Sequence, residues 1–183
     1  MSAAQSPRRH DERVLVLMRH ATAEAGWGVD DHERQLSVEG QADAPVAGRW
    51  LVDHGLIPEM IVCSSALRTR QTCTWLSSAL GDLAPTPSLS ERLYEASGAQ
   101  VLAEINAAPD DVRVLVVICH QPAVQDVAMQ LASADSDVDA VMDLSAGYPT
   151  CGLAVLRTVG SWAGLARADA RLTDFVVPRA GAV

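Results

Sequence analysis

The chain has 183 residues, of which 49% are hydrophobic, and carries a formal net charge of -9 at pH 7. This length and composition predict one globular domain with a sizeable apolar core. The negative charge argues against nucleic acids and anionic membranes as partners, because binding to phosphate backbones needs clustered cations. All 14 basic residues are arginines, so any anion pocket must use planar guanidinium groups, which suit bidentate contact with phosphate.

The N-terminal segment is polar and contains no apolar stretch typical of a signal peptide, so residues 1–13 are predicted to be a disordered lead-in. The longest apolar run, Val114 to Cys119, is far too short to span a bilayer. The cysteines are far apart and show no CxxC spacing, which predicts reduced, mostly buried thiols and a cytoplasmic protein. They are Cys63, Cys73, Cys119 and Cys151.

The first predicted element is the apolar run Val14 to Met18, which leads directly into Arg19 and His20. Such an unbroken run predicts a strand buried on both faces, usually in a parallel sheet. Ligands of open α/β sheets bind beyond the carboxyl ends of such strands. We therefore expect Arg19 and His20 to stand at the edge of the sheet where chemistry takes place.

A polar loop over residues 21–35 is predicted to lead into a helix. Ser37 is a good N-cap for that helix, and Gly55 is a good residue to follow its last turn. Pro45 conflicts with a continuous helix because an interior proline removes a backbone hydrogen bond and clashes with the preceding turn. We therefore expect either a kink at Pro45 or a helix that begins only around Asp43.

The remaining elements alternate between strands and helices. Residues 133–149 are acidic and rich in turn-forming residues, and are predicted to form a loop. The pattern predicts an α/β three-layer sandwich, with a mostly parallel central sheet and helices on both faces. It places a single domain at residues 14–178 and a C-terminal tail at 179–183. Predicted strands lie at 60–63, 112–119, 151–158 and 171–177, and predicted helices at 64–80, 99–107 and 123–132.

Polar residues of related character follow three of these strands. They are Arg19-His20, the segment from Ser64 to Arg68, and His120. If the strands are parallel neighbours, two guanidinium groups and two imidazoles converge at one edge of the sheet. Cationic donors around a phosphoryl group stabilise its oxygens during transfer. Neighbouring cations also keep an imidazole neutral and therefore nucleophilic.

Four ordered motifs carry a resemblance to a known family. Arg19-His20-Ala21 after an apolar strand resembles the RHG/RHA signature of the histidine phosphatase superfamily, which has the phosphoglycerate-mutase-like fold. The other three motifs fit the same superfamily, and the last is typical of its short, SixA-type phosphohistidine phosphatase branch. They are Leu36-Ser37 with Gly40, Ser64-Ser65-Ala66-Leu67-Arg68-Thr69 with Gln71-Thr72, and Cys119-His120-Gln121-Pro122.

The resemblance implies a role for each matching residue. It makes His20 the nucleophile that is transiently phosphorylated, and Arg19, Arg68 and His120 the groups that bind the phosphoryl oxygens. It implies neither a metal ion nor an organic cofactor. Ala21 stands where many relatives have glycine, and its effect on the pocket is left open.

The proton donor is predicted in the segment from Leu89 to Tyr94, which resembles the segment that carries the acid in mutase-like relatives and points to Glu91. Glu95 is the nearby alternative, and a structural role for either carboxylate is also open. Only 22 residues lie between Arg68 and Glu91, which leaves little room for the insertions that cap the site in larger relatives. We therefore expect a shallow, open site.

The expected function is hydrolysis of phosphohistidine on another protein. Broad hydrolysis of small phosphate esters and non-catalytic phosphate binding by the same fold are the alternatives. A cysteine phosphatase is disfavoured because the spacing from Cys63 to Arg68 is one residue too short for a cysteine-based phosphate loop. A metal hydrolase is disfavoured because His10, His32 and His54 are isolated in the sequence and are predicted to be ordinary surface residues.

Overall fold

A six-stranded sheet forms the centre of the structure, a computed structural model that describes residues 12–181. Three strand pairings are parallel and the last two are antiparallel, so the prediction of a mostly parallel sheet is confirmed. The strands are β1 (Arg13–Arg19), β2 (Met60–Ser64), β3 (Ser88–Ser90), β4 (Val114–Cys119), β5 (Leu153–Thr158) and β6 (Arg171–Val176). Their order across the sheet is β3-β2-β4-β1-β5-β6.

Helices cover both faces of the sheet, which confirms the predicted three-layer sandwich. The first two helices pack with one apolar cluster and the other three with a second cluster on the opposite face. Their bounds are α1 (Val38–Asp53), α2 (Leu67–Leu80), α3 (Gly98–Asn106), α4 (Ala123–Leu131) and α5 (Val138–Ala146). Short 3-10 turns lie at Asp31–Glu33, Gly81–Leu83 and Glu91–Leu93.

The central residues of strand β1 are all apolar because helices cover the strand on both faces. Leu15 and Leu17 join the cluster beneath α3, α4 and α5, whereas Val16 and Met18 join the cluster beneath α1 and α2. Successive side chains of a strand point to opposite faces, so both sets must be apolar when both faces are covered. The same packing fixes the position of the carboxyl end of β1 in the sheet. It thereby also positions the residues that follow Arg19.

Helix α1 runs without a break through Pro45, so the expectation of a start near Asp43 is wrong. The helix begins at Val38 because the Ser37 hydroxyl accepts a hydrogen bond from the amide of Gly40 at 3.1 Å. Gly40 also lies directly against the chain after β1, since a Cβ there would stand 2.1 Å from the carbonyl oxygen of Thr22. These contacts hold the first turn in place despite the hydrogen bond that Pro45 cannot make.

The expectation of a loop throughout 133–149 is also wrong, because α5 lies within it. Its acidic residues stabilise the helix. The Asp137 side chain caps the first turn by accepting a hydrogen bond from the amide of Ala140 at 2.9 Å. Asp139 lies in the first turn, where negative charge is favourable next to the helix dipole. Ala140 and Leu144 are buried and attach the helix to the core.

The two ends of the described chain are held by ion pairs. Glu12 accepts a hydrogen bond from Arg157 at 2.8 Å, and β1 begins at Arg13. At the other end, Arg179 and the amide of Ala180 donate to the buried carboxylate of Asp43 at 2.6 and 2.8 Å. The predicted lead-in falls almost entirely outside residues 12–181. Within that range, no helix combines the length and the apolar character needed to cross a bilayer.

Candidate active site

Four adjacent parallel strands end at one edge of the sheet, and each is followed at once by a candidate residue. Arg19 pairs with Cys119 at the ends of β1 and β4, and Ser64 pairs with Ser90 at the ends of β2 and β3. The residues that follow these ends are His20, Ser65, Glu91 and His120. Sequence analysis placed three strand ends at this edge, and the structure adds β3 and Glu91 as the fourth.

The hydrogen bonds around His20 determine which of its two ring nitrogens is unprotonated. Nδ1 lies 2.8 Å from the carbonyl oxygen of Ala21. Because a carbonyl oxygen can only accept, Nδ1 must carry the proton and Nε2 the lone pair. Nε2 faces Arg68, whose Nε donates to it at 3.3 Å. The ring therefore presents an unprotonated nitrogen to the group that is predicted to bind phosphate.

The electrostatic surroundings keep that nitrogen unprotonated. Burial is the main cause that lowers the pKa of His20 to about 3, and the nearby charges of His120, Arg68 and Arg19 act in the same direction. The hydrogen bond to Ala21 opposes these effects but is outweighed. His20 is thus a neutral imidazole at neutral pH, which is the state a nitrogen nucleophile requires.

His120 lies beside His20, with ring centroids 5.2 Å apart. Its Nε2 lies 2.8 Å from the hydroxyl oxygen of Ser64, while its buried Nδ1 has no partner among the described residues. Burial, followed by the charge of Arg68, lowers the pKa of His120 to about 4. When Ser64 donates to Nε2, the neutral ring carries its proton on Nδ1 and offers it to an incoming oxygen.

Arg68 comes from the first turn of α2 and is clamped by Asp31. Its Nη2 donates to Asp31 Oδ2 at 3.0 Å, and its Nη1 donates to the Asp31 carbonyl oxygen. Asp31 also accepts from Arg34 and from the hydroxyl of Tyr94, each at 3.0 Å. The hydrogen bond from Arg34, then those from Tyr94 and Arg68, lower the pKa of Asp31 to about 2. The carboxylate is therefore charged at physiological pH.

Arg19 extends from the end of β1 toward the same edge. Its Nη1 donates to the carbonyl oxygen of Tyr148 at 2.7 Å, whereas its buried Nε has no partner among the described residues. A buried donor without a partner is unfavourable unless a ligand satisfies it. Arg19 Nε and His120 Nδ1 are two such donors, at the ends of adjacent strands.

Glu91 lies at the rim of this site and is bound to a residue that sequence analysis did not single out. Ser65 donates to Glu91 Oε2 at 2.6 Å, and the Ser65 oxygen lies 3.0 Å from Nε2 of His32. Glu95, the alternative acid, lies in an exposed turn with a positive φ of 52°. Glu91 is therefore the carboxylate that hydrogen bonds connect to the strand ends.

His32 was predicted to be an isolated surface residue, and that prediction is wrong. It is distant in sequence from its partners, yet the turn at Asp31–Glu33 brings it against Ser65 and against the edge of the Tyr94 ring, at 4.8 Å between centroids. His54 stacks on Trp50 instead, and His10 lies outside the described residues.

Asp31 and Tyr94 are further site residues that sequence analysis missed. The mixture of acidic and basic residues in the loop 30–34 is the only sequence feature that marks Asp31. Tyr94 entered the sequence analysis only as the last residue of the segment that contains Glu91. Their contacts depend on tertiary structure and leave no pattern in the sequence.

The alternative of a cysteine nucleophile does not fit this geometry. Cys63 is completely buried, and its thiol donates to the carbonyl oxygen of Ser64 at 3.3 Å. A hydrogen bond with Cys73, followed by burial, raises the pKa of Cys63 far above its ordinary value. A thiol in this state does not ionise at neutral pH and is not a nucleophile.

Known proteins resemble this chain in both sequence and fold. No protein-family model matches the chain. An uncharacterised protein of Mycobacterium leprae is 36% identical over 166 residues, covering 88% of this chain and 100% of that protein. The structure of a protein assigned as phosphohistidine phosphatase SixA from Nakamurella multipartitia matches with a TM-score of 0.80 and 34% identity, covering 91% of this chain and 96% of that one.

A second structure, assigned as SixA from Agrobacterium tumefaciens, matches with a TM-score of 0.74 and 28% identity over 91% of this chain and 98% of that one. The fold is that of the histidine phosphatase superfamily, which has the phosphoglycerate-mutase-like fold. Within that superfamily, the chain belongs to the SixA-type phosphohistidine phosphatase branch. The protein is therefore a phosphatase.

Proposed function

We propose that this phosphatase removes phosphoryl groups from phosphohistidine on another protein, with His20 as the nucleophile. The observation that carries the proposal is the fixed orientation of the His20 ring. Its Nδ1 donates to the carbonyl oxygen of Ala21, and its unprotonated Nε2 accepts a hydrogen bond from Arg68 Nε at 3.3 Å. A nucleophile whose lone pair is directed at a guanidinium group is arranged to attack the phosphorus atom of a phosphoryl group that this guanidinium binds.

Three donors bind the phosphoryl oxygens in this proposal. Arg68 supplies its Nε–H and the second hydrogen of Nη2, because Asp31 already binds Nη1 and the other hydrogen of Nη2. Arg19 Nε and His120 Nδ1 supply two more donors, which are buried at adjacent strand ends and have no partner among residues 12–181. Donors placed in advance around the equatorial oxygens stabilise the charge of the transition state without reorganisation.

The reaction proceeds in two half-reactions. In the first, the Nε2 lone pair of His20 forms a bond to phosphorus while the bond from phosphorus to the leaving group breaks. In the second, water attacks the phosphorus atom, the bond from phosphorus to Nε2 breaks, and inorganic phosphate and neutral His20 are released. Neither step requires a metal ion, because the guanidinium groups supply the positive charge around the phosphoryl group.

Glu91 is the proposed proton donor to the leaving group. An ester expels a basic alkoxide and depends on that proton, whereas phosphohistidine expels an imidazole, whose conjugate acid has a pKa of about 6.5. The exposed position of Glu91 beside Ser65 suits an occasional rather than an essential acid.

Two observations support a protein substrate over a small metabolite. Two solved relatives above 25% identity are assigned as phosphohistidine phosphatases. In addition, only 22 residues separate Arg68 from Glu91, and the described residues between them form only α2, a short 3-10 turn and β3. A phosphorylated side chain on a folded partner can enter a site that no inserted segment covers.

Competition kinetics test the proposal. Purified protein is given a phosphohistidine-bearing phosphocarrier protein together with common phosphate esters, and release of phosphate from each is followed. A preference for the phosphoprotein supports the proposal. A strong preference for a small ester contradicts the protein substrate, and tight phosphate binding without turnover of any substrate indicates a non-catalytic module.

A further inference from the structure

A line of hydrogen bonds runs from the rim of the site to the candidate acid. Glu33 Oε1 lies 2.6 Å from His32 Nδ1, and His32 Nε2 lies 3.0 Å from the Ser65 hydroxyl oxygen. Ser65 Oγ in turn lies 2.6 Å from Glu91 Oε2. Three hydrogen bonds thus join four side chains from three separate segments, and none of the four is needed to bind the phosphoryl group.

A count of hydrogens gives the number of protons that these three bonds require. Three hydrogen bonds need three hydrogens between the four groups. The Ser65 hydroxyl supplies one and a neutral His32 ring supplies one, while ionised carboxylates supply none. All three bonds can therefore form together only when the network carries one proton more than a neutral His32 with two ionised glutamates.

That proton can occupy either end of the line. With the proton on His32, the imidazolium donates to Glu33 and to Ser65, and Ser65 donates to an ionised Glu91. With the proton on Glu91, its carboxyl donates to Ser65, Ser65 donates to Nε2 of His32, and His32 still donates to Glu33. Passing from the first state to the second moves two protons by one hydrogen bond each, and no heavy atom has to move.

We propose that His32 stores the proton that Glu91 delivers to the leaving group, and that Ser65 passes it between them. This inference rests on the proposed function, with Glu91 as the acid. When the bond to the leaving oxygen breaks, His32 gives its proton to Ser65, Ser65 gives its own to Glu91, and Glu91 passes that one proton to the leaving oxygen. When water attacks the phosphorylated His20, the released proton returns along the same line, so the cycle balances.

The surroundings of His32 hold the ring in the required orientation. The backbone amide of His32 donates to the Asp30 side chain at 3.0 Å, and the ring packs edge-on against Tyr94. Its side chain is 27% exposed, so the proton can also be replenished from water. Glu33 also lies 4.0 Å from Arg70, so its carboxylate stands between a guanidinium group and the imidazole.

The test is the dependence of rate on the basicity of the leaving group. A series of phosphate monoesters, from an activated aryl ester to an alkyl ester, is compared with phosphohistidine for the wild type and for His32→Gln. Glutamine preserves a donor to Ser65 but cannot release a proton. We expect kcat for the alkyl ester to fall by about tenfold or more, and that for phosphohistidine to change by less than about threefold.

Ser65→Ala interrupts the same line at its centre and should reproduce this pattern. The double variant should lose no more than the more severe single variant, because both changes remove one relay. His54→Gln, which alters a histidine outside the site, is the matched control and should leave the series unchanged.

Equal losses on all substrates in His32→Gln, or additive losses in the double variant, would overturn the relay. If the wild type releases no phosphate from any substrate, the proposed function itself fails. If the wild type turns over and His32→Gln behaves like His54→Gln, only the relay fails.

Discussion

Asp31 holds the far end of the Arg68 guanidinium group and thereby turns its near edge toward His20. The side-chain contact from Nη2 to Oδ2 is 3.0 Å, and Nη1 donates to the backbone carbonyl oxygen of the same aspartate. Nε is left to face the His20 ring. A single acidic residue from a neighbouring turn thus sets the direction in which the arginine proposed to bind phosphate points.

Removing this clamp should weaken transition-state binding rather than folding. Asp31→Ala frees the guanidinium group to rotate, and we expect kcat/KM to fall by about 10- to 100-fold, since a misplacement of about 1 Å is sufficient for such losses. Asp31→Asn keeps an oxygen acceptor and should recover part of the activity. Asp53→Ala changes an exposed aspartate at the end of α1 and serves as the control; activity of Asp31→Ala equal to this control would refute the clamp.

Glu91→Gln should separate substrates by leaving group. Loss of the acid should slow ester hydrolysis by about 10²-fold or more, within the range of general acid catalysis, and phosphohistidine hydrolysis much less. The measurement is kcat for both substrates in the same preparation, with Glu95→Gln as the matched variant. Equal losses on the two substrates would contradict the role of Glu91 as an acid.

The neutral state of His20 has a consequence for folding stability. The unfolded chain binds a proton near the ordinary pKa of 6.5, whereas burial holds the folded pKa at about 3. Between these values the unfolded state binds more protons, so the free energy of unfolding rises with pH and decreases as the pH falls from 6.5.

Urea denaturation between about pH 6.5 and 4.5 checks this sign. In His20→Gln the slope of unfolding free energy against pH should be smaller than in the wild type by about 1 kcal/mol per pH unit, because one buried histidine is gone. His120, with a pKa lowered to about 4, should sustain the remaining slope. Identical slopes in the wild type and His20→Gln would show that the imidazole is not held neutral by the fold.

The ion pair between Asp43 and Arg179 gives a stability prediction that does not involve the site. The Asp43 side chain is 3% exposed, and removal of its cationic partner leaves a buried charge without compensation. We expect Arg179→Ala to reduce the free energy of unfolding by about 1–3 kcal/mol. Arg167→Ala, an exposed arginine, is the control. A loss within experimental error of that control would show that residues 179–181 do not stabilise the fold.

The sequence predicted the parts of this structure that depend on local pattern. The apolar runs ending at Arg19 and His120 identified the two central strands because a strand buried on both faces has no polar positions. Helix α5 was missed because its acidic residues resemble those of a loop, and only burial of Ala140 and Leu144 distinguishes the two. His32 and Asp31 were missed for another reason: their partners are about 30 or more residues away, and no periodicity records such contacts.

The identity of the phosphorylated intermediate is the most direct test of the account as a whole. The wild type is mixed with a phosphohistidine-bearing protein, quenched in alkali within one turnover, digested and analysed by mass spectrometry. The account predicts a single acid-labile, alkali-stable phosphoryl group on Nε2 of His20, which is absent in His20→Ala, together with loss of turnover in that variant. Phosphate on any other residue, or turnover that persists in His20→Ala, would contradict it.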